Sequence, residues 1–529
     1  MVSRLGSMVS NEGAAMNSSS VVLINPSVHS PSSTRLPLSL LNLAAVLEGR
    51  CGWRIVDGNV EVEPVRVVQA ELRERPHALV GITVMTGPQV ATAIELSAAV
   101  RAAFPSVPIA WGGYFPTLYP NAAINAPYVD YLIRGQGEQT LLELLARLPD
   151  AGPPTLSDSA RDTTTIQDVA GLTWKRGGQP IHNADRPVAS PGAFPLLPYE
   201  RVDVRGYLRP SFMGSRTAVY QSALGCRYRC QFCGVVSMWN GKTELEESGR
   251  LLQSIGMLRD RWGADCIMFY DHNFFDREDS SVPILEALAA IDLPYWCFAR
   301  TDTLAKFSAA TWEKIRRSRL RMAFFGAEAA SDDILKRMKK GARVEHTLEV
   351  AVRCREYGVV PEFSFILGGP EDPEDQIDKT FSFIRKIKSI NPDSEIILHY
   401  YTPTPQRDPK LKERQRSTAQ LPMLRSYGPS GPSLPSTPEE WAEPQWVSWI
   451  CHEDAPWLTP RTRRRVKDFA RVLGCRFPTM QDYTASPLSK GVLRNLAKWR
   501  YAIGYYDHSW ELAIARRLIS LREPRRESL

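Results

Sequence analysis

No apolar run of about 18 residues occurs in the 529-residue chain, which excludes a membrane-crossing helix as its organising element. The opening stretch, MVSRLGSMVSNEGAAMNSSS, lacks the apolar core of a secretory signal, and the expectation is a cytoplasmic protein. Cysteine is sparse and odd in number: nine residues, scattered apart from one cluster, do not make a disulfide framework. No compact Lys/Arg block dominates, so the formal charge of +7 supplies no footprint for nucleic acid. Internal repeats are lacking too. What is present is 43% hydrophobic residues at a mean hydropathy of −0.26, in a chain long enough for two or three domains with cores of their own.

Residues 1–19 are small and polar and read as disordered. From Val21, apolar runs of strand length (VVLINP, WRIVDGNV, HALVGITVMTG, VPIAWGG, VDYLIRGQGE) alternate with stretches of helical spacing such as LPLSLLNLAAVLEG and PQVATAIELSAAVRAAFP. Continuous apolar strands need cover on both faces. Residues 20–150 are therefore expected to form a doubly wound parallel α/β sheet, with any ligand at the carboxyl ends of its strands. Residues 151–210 read as a linker with one short β piece, GLTWKRGGQPIHN, turning at RGG. A second alternation over 211–404 has six strands and no hairpin signal, and predicts a curved, partly closed parallel (β/α)6 barrel. Residues 405–529 start Pro/Ser-rich and end in Trp- and Arg-rich, mostly helical pieces.

GCRYRCQFCGV, residues 225–235, places Cys226, Cys230 and Cys233 just past the first strand of that second alternation. A reduced compartment disfavours a disulfide. A structural zinc site closes with four ligands, and the next candidates, Cys266 and His272, belong to the following strand. A four-iron cluster held by three thiolates would leave one iron open to a substrate or cofactor. CxxxCxxC with Phe232 before the third cysteine resembles the radical S-adenosylmethionine (SAM) superfamily. The resemblance implies a [4Fe–4S] cluster on Cys226, Cys230 and Cys233, with SAM chelated by the open iron. It further implies cleavage of SAM to a 5′-deoxyadenosyl radical, the electron coming from a donor such as flavodoxin or ferredoxin. Gly368 and Gly369 in FSFILGGPEDPEDQ would pack against SAM. Glu328 in GAEAASDDILKRMKKG would touch its ribose or amine, and Arg300 in FARTDTL would lie near its carboxylate. Each has a structural alternative when taken singly, a strand-end turn or an ion pair; their order after the cysteines favours the cofactor roles.

Three strand ends of the first domain, TVMTGPQ, WGGYFPTLYP and RGQGEQT, are rich in Gly and small polar residues. A flat ligand close to backbone suits them, and so do tight βα turns without a ligand. Their order resembles the cobalamin-binding domain fused to many radical SAM enzymes. That resemblance implies that Thr83, Met85, Thr86, Gly112, Gly113, Tyr114, Gly135, Gln136, Gly137 and Glu138 line the corrin and its nucleotide tail. The Asp-x-His-x-x-Gly motif that carries a cobalt-ligating His is absent; NPSVHSPSS stands in its place, with His29 off register. The expectation is cobalamin without a protein histidine below cobalt, a vestigial sheet without cobalamin being the alternative.

In FYDHNFF, Asp271, His272 and Asn273 end the second barrel strand, and Asp271 and Asn273 point to one side. They are candidate catalytic groups, against the alternative of a structural hydrogen-bond network. Tyr400 and Tyr401 either face substrate, where a phenol can donate a hydrogen atom, or pack in the core. Cys297, Cys354, Cys451 and Cys475 read as buried structural thiols. The tail is expected to cap the barrel and select substrate, with membrane-surface association of its last amphipathic piece as the lesser alternative. Together the two resemblances imply methyl transfer to an unactivated carbon of a small-molecule metabolite, with the aromatic tail leaning towards an apolar or aromatic one. The anaerobic magnesium-protoporphyrin ester cyclase has a similar layout and closes a ring instead.

Overall fold

Val21 to Ile24, four apolar residues in a row, are sealed on both sides because alternate side chains feed two different cores. They form β1 (Ser20–Asn25), the centre of a sheet completed by β2 (Gly52–Asp57), β3 (His77–Thr83), β4 (Ile109–Gly112) and β5 (Tyr131–Ile133), all parallel in the order β2-β1-β3-β4-β5. Helices Pro64–Glu74 and Gln89–Ala103 supply Val68, Leu72, Val90 and Ala93 to one core. Helices Leu38–Leu47 and Glu138–Leu145 supply Leu40, Ala44, Leu141 and Leu144 to the other. The computed structural model describes residues 20–28, 34–75, 77–148, 166–369, 373–402, 434–451, 458–482 and 485–519.

The sheet does not stop at residue 150. The GLTWKRGGQPIHN piece folds as the expected hairpin, β6 (Leu172–Arg176) and β7 (Gln179–His182), and β6 pairs antiparallel with β5. The sheet is thus mixed and seven-stranded, and it runs on past residue 150 to His182. The physical reason is that β5 offers only three residues of bare edge, which the hairpin covers.

The second unit has the six parallel strands expected, in chain order from one edge to the other: β8 (Thr217–Tyr220), then, past a short pair β9 (Ala223–Gly225) and β10 (Thr243–Leu245), β11 (Cys266–Phe269), β12 (Tyr295–Ala299), β13 (Leu320–Glu328), β14 (Val360–Leu367) and β15 (Glu395–Tyr400). Among the described residues β8 and β15 are the outermost strands of this sheet and do not pair with each other, β8 taking only a single bridge from Arg209 to Thr217, so it is open. Its two faces differ. Cys297, Ala323, Phe325, Phe363 and Phe365 are sealed against helices, while the alternating Phe298, Phe324, Ile366 and Ile397 are only half-buried. The latter line an accessible inner face that they share with the buried Glu362, Ser364 and Glu395, and there Phe298 packs against Trp296 at 4.5 Å and Phe324 at 5.3 Å between ring centroids.

The tail does more than cap. Helix Pro460–Arg476 packs on the second unit, with Phe469 stacked on Phe381 at 3.7 Å and Thr462 donating to Glu374 at 2.6 Å. Trp441 and Trp449, from helices Pro438–Trp441 and Pro444–Ile450, belong instead to the core of the first domain, Trp441 lying 4.3 Å from Tyr119.

Candidate functional site

The cysteine loop is held at both ends. β9 and β10 pair antiparallel through Gly225↔Thr243 and Leu224↔Glu244, and Gly225 sits at φ +78°, where a Cβ would lie 2.3 Å from the Lys242 carbonyl. Asp271, at the end of β11, fixes the step from β8 to β9 by accepting hydrogen bonds from the Ser222 amide (2.6 Å), the Ser222 hydroxyl (2.6 Å) and the Ala223 amide (2.8 Å). Farther along, the Gln231 amide donates to the Met338 carbonyl at 2.9 Å. Cys230 is buried and Cys226 and Cys233 are half-buried. Burial, then the neighbouring Cys230, pushes the Cys233 thiol up to about 12, and burial raises Cys226 as well. Neutral thiols in such a pocket become thiolates only if something cationic binds among them.

Arg300 and Lys340 add positive charge there. The Arg300 guanidinium donates to Cys230 Sγ at 3.4 Å, grips Asp302 through two nitrogens at 2.9 and 3.1 Å, lies 3.5 Å above the Tyr228 ring and donates to the Lys340 carbonyl. Lys340 is itself buried. Its ammonium bonds Glu328 at 2.6 Å and stands 5.7 Å from the Phe232 ring. Glu328 takes a positive φ of +62° at an irregularity in the β13–β14 pairing, an unusual conformation for Glu that accompanies its pairing with Lys340. A Cβ on Gly326 beside it would crowd the Glu328 carboxylate and the Lys340 ammonium.

The carboxyl edge of the first sheet abuts this loop. A Cβ on Gly234, next to Cys233, would lie 1.9 Å from the Tyr114 hydroxyl, and one on Gly135 would lie 3.5 Å from the Met238 carbonyl. Burial, then Cys233, holds the Tyr114 phenol well above its ordinary range. At the same edge Thr83, Met85, Thr86, Gly112, Gly113, Tyr114, Gly135 and Gly137 are half-buried, whereas Leu79, Val80, Ile109, Trp111 and Leu132 behind them are sealed. A third element joins the two edges. Thr402, after β15, donates to the Trp449 carbonyl at 2.9 Å, and Gly87, after β3, has φ +89° and lies against Cys451.

Several expected site residues have other partners. Asp271 is fully buried and accepts from the Ser222 amide and hydroxyl and the Ala223 amide, which ties it to the step into the cysteine loop; burial raises it to about 7 against these three donors. Asn273 donates to the Phe275 carbonyl at 3.1 Å, and its buried Oδ1 has no hydrogen-bond partner among the described residues. His272 accepts from the Trp239 indole at 3.2 Å, and burial lowers it to about 4. Tyr400 lies in the core with its hydroxyl 3.5 Å from the Arg463 carbonyl. The Gln136 amide is committed to the Ala189 backbone, at 2.7 and 3.2 Å, and Glu138 is buried with its carboxyl raised by that burial. The glycines of the first domain meet protein: Gly113, at φ +94°, faces Thr83 and Val84, and Gly137 faces Ile133 and Leu43. Gly368 approaches Leu458, while Gly369 opens on nothing within 4 Å. His29 lies outside the described residues. Cys297, Cys354 and Cys475 are buried as expected and Cys451 is half-buried. Sequence reasoning missed Tyr228, Asp302 and Lys340. Tyr228 was legible as an aromatic inside the cysteine loop; nothing distinguished Lys340 from the surface lysine before it.

The donor set fits a multi-iron cluster. Three thiols on one loop, Cys226, Cys230 and Cys233, match three of the four corners of such a cluster. The accessible turns along the first sheet's carboxyl edge fit a ligand laid against backbone. The Radical SAM superfamily profile matches residues 220–384, and the B12 binding domain profile matches residues 28–145. The chain is a radical SAM protein with a B12-binding domain ahead of it. This radical SAM protein is 21% identical over 359 residues to an uncharacterized methyltransferase of Pyrococcus horikoshii, covering 67% of this chain and 74% of the relative. It is 23% identical over 314 residues to the anaerobic magnesium-protoporphyrin IX monomethyl ester cyclase of Synechocystis, covering 58% of each. Its fold is similar to that of the cobalamin-dependent SAM radical enzyme OxsB solved with aqua-cobalamin, at a TM-score of 0.59 and 17% identity, over 72% of this chain. The match spans about half of OxsB, 54% of that chain.

Proposed function

We propose that this radical SAM protein is a cobalamin-dependent methyltransferase acting on an unactivated carbon of a small-molecule metabolite. The observation that carries the reading is the contact between the two strand-end edges, Tyr114 on Gly234 and Gly135 on Met238, which sets the B12-binding edge beside the cysteine loop. Cys226, Cys230 and Cys233 would hold a [4Fe–4S] cluster. Phe232, Glu328 and Gly369 would face SAM, and the first sheet's edge would hold cobalamin with no protein histidine below cobalt. Bound there, these cofactors supply hydrogen abstraction from carbon and a transferable methyl group.

The chain's own residues position and screen. Arg300 and Lys340 offset thiolate charge around Cys230, Cys226 and Cys233. Asp271 fixes the loop that carries the thiols. The half-buried inner face of Phe298, Phe324, Ile366 and Ile397 suits an apolar or aromatic substrate and keeps water from its reacting carbon. A flavodoxin- or ferredoxin-type donor completes the reading. The likeness to a methyltransferase supports methyl transfer; the likeness to the cyclase favours a second reading, ring closure after the same hydrogen abstraction. Turnover with methyl-deuterated SAM and a metabolite extract separates them. Methyl transfer gives a product heavier by the labelled methyl group, with both S-adenosylhomocysteine and 5′-deoxyadenosine formed. 5′-Deoxyadenosine without S-adenosylhomocysteine or label transfer supports the cyclase reading and removes the first.

A further inference from the structure

Nine of the fifteen large hydrophobic side chains exposed among the described residues fall between positions 488 and 518. Leu488, Val492, Leu496, Trp499 and Ile503 recur every three or four residues on helix Pro487–Ile503 and so form one stripe. Trp510, Ile514 and Leu518 do the same on helix Trp510–Leu518. The residues that anchor this helix pair, Leu493, Ala497 and Leu512, point the other way, into a small core with Val472 and Cys475. The helices are therefore fixed by one face and present a second apolar face outward. Surface hydrophobics scattered singly need no explanation, but two aligned stripes do.

Charge indicates what covers them. Helix Pro487–Ile503 has four basic residues and no acidic one. Its Arg500 is buried and bonded to the half-buried Glu511, which offsets that carboxylate's charge, whereas Arg494, Lys498 and Arg517 are exposed. Asp507, in the turn between the helices, is the exposed acid of the pair. A second copy of this chain would set basic rows against each other with little to offset them. An anionic lipid surface offers a hydrocarbon boundary for the stripes and headgroups for the cations, and Trp499, Tyr505 and Trp510 are of the type that settles at that boundary. We propose that the face formed by helices Pro487–Ile503 and Trp510–Leu518 docks reversibly on the surface of an anionic membrane. No described helix is long and apolar enough to cross one. The inference is independent of the reaction proposed above.

The test is co-sedimentation of the full chain with sucrose-loaded vesicles of phosphatidylglycerol and phosphatidylcholine, or of phosphatidylcholine alone, at low and high salt. Binding to the anionic vesicles, weakened by salt and by the neutral lipid, is expected. Arg494→Glu with Lys498→Glu should lower the partition coefficient about tenfold or more. Leu488→Ser with Ile503→Ser and Leu518→Ser, all exposed positions, should abolish it. Quenching of tryptophan fluorescence by brominated lipid in the unmodified chain supplies a readout that does not depend on the variants folding. Absence of binding and quenching overturns the proposal. So does a salt-stable dimer in sedimentation velocity that the serine variant dissolves, which assigns the face to a second copy.

Discussion

Replacing Gly234 with Ala tests the meeting of the two domains at one atom. Gly234 has φ −67° and ψ −20°, a helical conformation that Ala adopts freely. On backbone grounds alone the change should stabilise by roughly 0.4–1 kcal/mol, through loss of freedom in the unfolded chain. The structure places the new methyl 1.9 Å from Tyr114 Oη, 2.7 Å from its Cζ and 3.1 Å from Leu118 Cδ1. The ring must shift to admit the methyl, and overpacking of this kind costs roughly 1–3 kcal/mol. Gly234→Ala should therefore destabilise the native protein and stabilise the Tyr114→Ala variant, a coupling of about 1.5–4 kcal/mol between residues 120 positions apart. Urea denaturation of the four proteins of the cycle, followed by circular dichroism, measures it, and the cost of removing the Tyr114 ring cancels. An effect of the same sign in both backgrounds would refute the docking of the first sheet on the cysteine loop.

Three further outcomes are expected. Anaerobic reconstitution should give charge-transfer absorption and about four irons per chain, and Cys226→Ala/Cys230→Ala/Cys233→Ala should lose both; full iron in that variant contradicts the cluster assignment. Paramagnetic resonance of the cob(II)alamin form should show the same nitrogen superhyperfine pattern whether or not the protein's histidines are labelled with 15N, and a change on labelling would put a histidine on cobalt. Asp271, raised to about 7, stabilises at low pH and loses that contribution as pH rises from about 4 to 7. His272, lowered to about 4, stabilises at neutral pH and loses its contribution as pH falls from about 6.5 to 4. Each is worth roughly 3–4 kcal/mol, so the slopes oppose one another. Asp271→Asn should leave a protein that weakens on acidification, and His272→Gln one that weakens on approach to neutrality. Parallel slopes in urea midpoints taken across pH 4 to 7 contradict the pairing.

Most strands were legible because a strand buried on both faces must be apolar throughout, as in VVLIN and FSFIL. β9 and β10 were not, since three residues each carry no periodicity. The cysteines were legible by spacing alone. The polar residues at strand ends were harder: Asp271 and a catalytic aspartate look alike in sequence, and only the position of the Ser222 and Ala223 amides decides between them. Glycine is ambiguous in the same way. Gly113, Gly135 and Gly368 each need their missing side chain, but what approaches is Val84, Met238 or Leu458, residues far off in the chain or on a neighbouring turn.

The place of Trp441 in the core of the first domain bears on how the protein is made. Phe115 and Tyr119 are covered by that indole, and Tyr128 bonds Glu439, 311 residues later, at 2.7 Å. A ribosome adding about 5–20 residues per second reaches the covering helix roughly 15–60 s after the sheet it covers. Through that interval the nascent first domain has all its strands and helices but an uncovered aromatic face, a natural client surface for a holdase chaperone. Helices Pro438–Trp441 and Pro444–Ile450 then arrive as the step that ends its dependence on one.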